Sequence, residues 1–139
     1  SNIERNMSVF KDQDKFMTAC DQTVGVFNAN QFSMHLNLIK EEYIELYDAI
    51  DDNDPVEVLD ALLDMIVVII GAIHSLPADA DGGWNEVIGT NLAKIDPTTG
   101  KVRKREDGKV LKPEGWVAPD LSKYINAESV DLSKVVKPE

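Results

Sequence analysis

The sequence contains one cysteine, Cys20, which excludes an internal disulfide and any zinc site built from several thiolates. Its two histidines, His35 and His74, fall in no Glu-x-x-His pair, so the spacing of a di-iron bundle is missing. No glycine-rich phosphate loop or dinucleotide fingerprint occurs; Gly25 and the Gly82-Gly83 pair match neither pattern. The longest uninterrupted apolar run, Met65 to Ile73, falls far short of the ~20 residues of a membrane span. No basic-plus-apolar leader is recognisable, so the expectation is a cytoplasmic protein in reducing surroundings. Positive charge is also scarce. Fourteen Lys and Arg stand against 25 Asp and Glu, a formal net charge of −11 that argues against nonspecific binding along nucleic acid. At 139 residues the chain suits one domain with a single core.

The acid is concentrated. Ten carboxylates lie between Glu41 and Asp64, with no Lys or Arg among them. The cations gather later, at Lys94, Lys101, Arg103, Lys104, Arg105, Lys109 and Lys112. An acidic helical half and a basic loop half suit a metal ion and a phosphate chain held between them. Two ordinary solvated faces fit the same charge pattern.

Helical periodicity runs through most of the chain. Phe16, Cys20 and Val24 repeat every four residues, predicting a first amphipathic helix within residues 8–25, ended by Gly25. From Gln31 to about Ile50, the positions Leu36, Ile39, Tyr43, Tyr47 and Ile50 make one apolar stripe, and Glu41, Glu45, Asp48 and Asp52 make a second, acidic one. Asp54-Pro55-Val-Glu57 opens the next helix with a cap, a proline at the first position and a capping box, in which Glu57 bonds back to the Asp54 amide. Asp60 and Asp64 share a face of that helix. Asp64 then meets a run that is apolar on every side, as in a central buried helix. An unpaired carboxylate at such a position costs several kcal/mol, so it calls for a metal, a cation or a network. His74 reads as a C-terminal capping side chain and His35 as structural. Asp79 to Gly83 reads as a loop, Trp84 to Ile95 as a fourth helix, and Lys101 to Lys112 as a short hairpin turning at Glu106-Asp107-Gly108. The last residues are polar and are expected to wrap a neighbour or fray.

Glu41-Glu42-x-x-Glu45 followed by the Asp60/Asp64 helix resembles the all-α nucleoside triphosphate pyrophosphohydrolases, which include MazG-like, phosphoribosyl-ATP pyrophosphohydrolase-like and dimeric dUTPase families. The lead-in from Gln31-Phe32 to Glu42, the Asn91-x-x-Lys94 element and the segment from Asp107-Gly-Lys through Gly115-Trp116 to Pro119-Asp120 resemble the phosphoribosyl-ATP pyrophosphohydrolase-like branch. The resemblance implies an all-α, MazG-like helical bundle over residues 8–122, with a C-terminal hairpin and loop segment, a tail at 123–139, and assembly across subunits as a homodimer or homotetramer. It implies Mg²⁺, with Mn²⁺ as the alternative ion, held among Glu41, Glu42, Glu45, Asp60 and Asp64, with Glu41 or Glu42 orienting the attacking water. Gln31, Asn91, Lys94, Lys104, Lys109 and Lys112 would contact the nucleoside triphosphate, which is cut to a monophosphate and pyrophosphate. One departure stands out: Ala61 occupies the place of the usual Glu three residues before Asp64, and either Asp60 or Glu57 is the substitute. Competing readings are phosphoribosyl-ATP hydrolysis and a non-catalytic acidic module for a basic partner.

Overall fold

Side-chain caps set where the helices begin. A computed structural model describes residues 8–139 and contains, among these, four α-helices, three short 3₁₀ turns and no named strand. Ser8 accepts from the Lys11 amide at 3.2 Å and starts α1, Val9–Ala19. Asn28 accepts from Gln31 at 3.0 Å and starts α2, Ala29–Asp51. Asp54 accepts from Glu57 at 3.1 Å ahead of α3, Pro55–His74, and Asp79 from Gly82 at 3.0 Å ahead of α4, Ala80–Leu92. The all-α architecture is the expected one. No helix among the described residues is long and apolar enough to cross a membrane.

Two helix boundaries and one cap depart from the sequence expectation, each for a physical reason. Helix α1 ends before Gly25 because Asp21 takes a left-handed conformation (φ 59°), and the Gln22 amide returns to the Met17 carbonyl at 2.9 Å. That is a helix-ending motif in which glycine is the usual occupant. Helix α4 begins at Ala80, so Gly82 and Gly83 lie inside it. Gly82 is required there by packing: a Cβ would lie 2.6 Å from the Tyr124 ring. The capping box at α3 is half made, because the Asp54 amide donates to the Ala49 carbonyl at 3.0 Å, leaving the Glu57 carboxylate without that partner.

Helices α2 and α3 form an antiparallel hairpin with the most extensive contact in the chain, and α1 lies on α3. Phe10 and Met17 of α1 are buried, as are Ile70 and Ala72 of α3, and the Phe10 ring meets Trp84 edge-on at 6.2 Å. His74 does not cap its own helix. Its Nε2–H donates to the Phe10 carbonyl at 2.7 Å, tying the end of α3 to α1. His35, also buried, donates Nδ1–H to the Gln31 carbonyl at 2.8 Å. Its ring fills the space where Gly71 lacks a side chain.

The tail lies along its own chain. The Asp79 amide donates to the Tyr124 carbonyl at 2.8 Å, the Asn126 amide to Pro77 at 3.0 Å, and the Val136 amide to Ser33 Oγ at 2.9 Å. The segment after α4 pairs at Ile95 with Val102 around a turn at Gly100 (φ 69°) and at Lys104 with Val110 around a turn at Gly108 (φ 84°), so the predicted hairpin is a single bridge around Gly108.

Helix α3 is not centrally buried within one chain. Ile66 is 49% exposed and Tyr43, facing outward from α2, is 53% exposed. Among the described residues, α1 and α2 are the helices that cover α3 extensively, which leaves part of its circumference open to solvent.

Candidate functional site

The pairing of α2 with α3 brings their acidic stripes together. Ala49 and Ala61 are buried between the helices, and the cleft above them is lined by Glu45, Asp48 and Asp52 from α2 and by Asp54, Glu57 and Asp60 from the start of α3. The cleft holds about 290 Å³. Small side chains at the contact let the backbones approach, so that carboxylates three and four residues apart on each helix face one another.

Glu42 lies one turn before Glu45 on the same helix. Burial, then the closeness of the Glu45 carboxyl, then the negative charge of Glu45, Asp64 and Asp60 push its carboxyl up from 4.5 to about 7. Its Oε2 is shut off from solvent with no hydrogen-bond partner among the described residues. A buried acceptor without a donor, ringed by three further carboxylates, is destabilising for the chain alone. A hard divalent cation with oxygen ligands answers that imbalance, so the residues fit Mg²⁺. Among the described residues no three Asp, Glu, His or Cys side chains converge into a closed ligand cluster in this conformation. Mg²⁺ keeps several waters and needs only one or two carboxylates directly.

A second concavity lies beside α4. Between α4 and residues 95–117 a cavity of about 870 Å³ is lined by Lys94, Arg103 and Trp116, together with Glu86, Asp96 and Glu114. Lys94 Nζ donates to Asn91 Oδ1 at 3.1 Å, so the expected Asn-x-x-Lys element is a hydrogen-bonded unit across the C-terminal end of α4. The cavity and the acidic cleft have no lining residue in common.

The expected site residues are therefore distributed unevenly. Glu42, Glu45, Asp60 and Asp64 form one electrostatic group spanning two helices. Glu41 is exposed and is neither among the groups acting on Glu42 nor on the cleft lining. Asn91, Lys94 and Lys112 gather near Trp116, whereas Lys104 and Lys109 sit exposed on the hairpin. Gln31 is occupied inside the fold. Its Oε1 accepts from the Thr23 amide at 3.0 Å, and its Nε2 donates to the Thr23 carbonyl at 2.8 Å and to Ser75 Oγ at 2.9 Å. Both amide hydrogens are thus used, which supports a structural role. Two residues absent from the sequence-based set, Arg103 and Trp116, line the cavity beside α4.

A family model described as phosphoribosyl-ATP pyrophosphohydrolase matches residues 13–91, a span that includes α2, α3 and the whole acidic group. No curated protein matches the chain.

Proposed function

Because the chain belongs to the phosphoribosyl-ATP pyrophosphohydrolase family, within the MazG-like all-α superfamily, we propose that it hydrolyses nucleoside triphosphates in a Mg²⁺-dependent reaction. Pyrophosphohydrolysis of a nucleotide, the opening of a phosphoric anhydride by water, goes with that family. The products on this reading are a nucleoside monophosphate and pyrophosphate, and the role is removal of unwanted nucleotides from the pool. The observation that carries it is the partnerless Glu42 Oε2 among Glu45, Asp60 and Asp64.

Glu45, Asp60 and Asp64 are the residues assigned to hold the ion. Bound there, Mg²⁺ would polarise phosphoryl oxygens and lower the pKa of a coordinated water. Glu42 is assigned the orientation of the attacking water and acceptance of its proton. Glu41, one residue earlier and exposed, is the alternative position for that acceptor. Lys94 and Asn91 are assigned to the phosphates, where a fixed ammonium offsets charge growing on the leaving pyrophosphate.

A second copy of the chain completes the site on this reading. Outward-facing Tyr43, Tyr47, Leu59, Leu62 and Ile66 on α2 and α3 form an apolar surface. The accessible surface of one chain is 10083 Å², against about 7,200 Å² for a folded monomer of this mass. The excess exceeds the ~800 Å² that each partner of a standard interface buries.

The family description itself favours one second reading, hydrolysis of phosphoribosyl-ATP, which breaks the same bond. The deciding experiment is pyrophosphate release with Mg²⁺ across NTPs, dNTPs and phosphoribosyl-ATP, with wild type beside Glu45→Gln and Asp64→Asn. Turnover abolished by both variants and by EDTA is the expected result. No turnover of any nucleotide, with melting temperature unmoved by Mg²⁺, overturns it and leaves an acidic interaction module.

A further inference from the structure

The tail carries a short repeat. Asp120-Leu-Ser-Lys123 recurs as Asp131-Leu-Ser-Lys134. Each copy forms a 3₁₀ turn, Ser122–Tyr124 in the first and Leu132–Lys134 in the second. In both, the aspartate Oδ1 accepts from the serine amide and from the serine hydroxyl. The distances are 3.0 and 2.6 Å in the first copy and 3.1 and 2.6 Å in the second. The same local bonds therefore close both turns. What differs is how each is held to the helices.

The first turn is held at several points. Ile125 bridges Ala78, the Tyr124 carbonyl accepts from Asp79 at 2.8 Å, and the Asn126 amide donates to Pro77 at 3.0 Å. The Tyr124 ring fills the space where Gly82 lacks a side chain. Leu121, Tyr124 and Ile125 also line one groove with Phe10, Trp84 and Val87. The second turn is held lightly, against α2. Among the described residues, the hydrogen bond from residues 127–139 to a helix is the Val136 amide on Ser33 Oγ, at 2.9 Å. Val130, Val135 and Pro138 are half-buried and the rest of that segment is exposed, Leu132 by 64% and Val136 by 69%.

Releasing the first turn would strip the Asp79 amide of its acceptor, part Tyr124 from Gly82 and open an apolar groove to water, each at a cost. Releasing the second costs one hydrogen bond and little apolar area. Ser33 Oγ also donates to the Ala29 carbonyl at 2.8 Å, so its hydrogen stays paired and only an acceptor lone pair passes to water. We propose that residues 127–139 are a latch on α2, which opens at Ser33 while the helices and the first turn stay folded. The surface of α2 at Ser33 then alternates between covered and exposed, with the first turn as the fixed end of the strap.

The test is trypsin digestion of the native full chain, with initial rates of the cuts after Lys123 and Lys134 read by mass spectrometry. The repeat supplies its own control, because both bonds follow the same four residues. Each rate is divided by that of the same bond in a free peptide of residues 117–139, so that the ratio reports how often that turn is open. The Lys134 ratio is expected to exceed the Lys123 ratio about tenfold or more. Ser33→Ala should raise the Lys134 ratio about fivefold further, the worth of one ordinary hydrogen bond. It should leave the Lys123 ratio unmoved and not lower the melting temperature. Gly82→Ala should do the reverse, raising the Lys123 ratio alone. Equal ratios in wild type overturn the latch, as does a Ser33→Ala effect on both bonds or on neither. A Gly82→Ala effect on both bonds also overturns it, since the two anchors would then open as one. Should Gly82→Ala fail to fold, the wild-type and Ser33→Ala ratios decide.

Discussion

Replacing Glu42 with glutamine should make the metal-free protein more stable at alkaline pH. The Glu42 carboxyl titrates at about 7 in the fold, against an ordinary 4.5. Between those values the folded chain keeps a proton that the unfolded chain has lost. Stability therefore falls as pH rises through this window and levels off above it. The interval corresponds to about 3 kcal/mol at full strength, and solvent at the edge of the cleft screens this to about 1–2 kcal/mol. Glu42→Gln removes the ionisation and keeps the shape. At pH 8 it should exceed wild type by that amount, or by about 3–8 °C in melting temperature, while at pH 4.5 the two should nearly coincide. The assay is urea or thermal unfolding in EDTA from pH 4.5 to 8.5, at one fixed protein concentration because assembly shifts the midpoint. On the proposed reading, Mg²⁺ held beside Glu42 favours loss of its proton, so affinity in wild type should rise with pH up to about 7, a slope the variant loses. Parallel stability curves, or a Gln variant less stable than wild type at pH 8, would refute the reasoning.

Further outcomes follow from named contacts. Gln31→Leu leaves the Thr23 backbone and Ser75 Oγ without three hydrogen bonds and should cost about 2–4 kcal/mol in chemical denaturation, with kcat retained in the folded fraction. Gly71→Ala places a Cβ 2.2 Å from the His35 ring and should cost about 1–3 kcal/mol, much of it recovered by adding His35→Ala. Leu62→Asp, on the exposed apolar face, should shift sedimentation towards a monomer and lower activity with it; an unchanged sedimentation coefficient would count against assembly through that face.

The helical hairpin and its carboxylates were legible because local signals agreed with the fold. Asp54-Pro55 marks a helix start whatever surrounds it, and the acidic spacing needs only 3.6 residues per turn to place Glu42 near Glu45. The missed features depend on distant partners. Gly82 and Gly83 resemble a loop until Tyr124, some 40 positions later, is found packed against them. Asp21 has no local mark of a left-handed residue; its conformation follows from the Met17 carbonyl closing the helix end. His74 looked like a cap because its acceptor, Phe10, lies 64 residues away in the chain. Trp116 was equally readable as core or site, since nothing within its own segment reveals that two lysines share its ring.

The two alanines beneath the carboxylates act as a spacer between the helices. A larger side chain at Ala49 or Ala61 would push α2 and α3 apart at that level and widen the gap between the two acidic rows. On the proposed metal-binding reading, ionic radius is the property that spacing would select: Mg²⁺ accepts oxygens only near 2.1 Å, whereas Ca²⁺ tolerates distances up to about 2.6 Å. Discrimination between hard cations in this cleft would thus be governed by residues that never touch one.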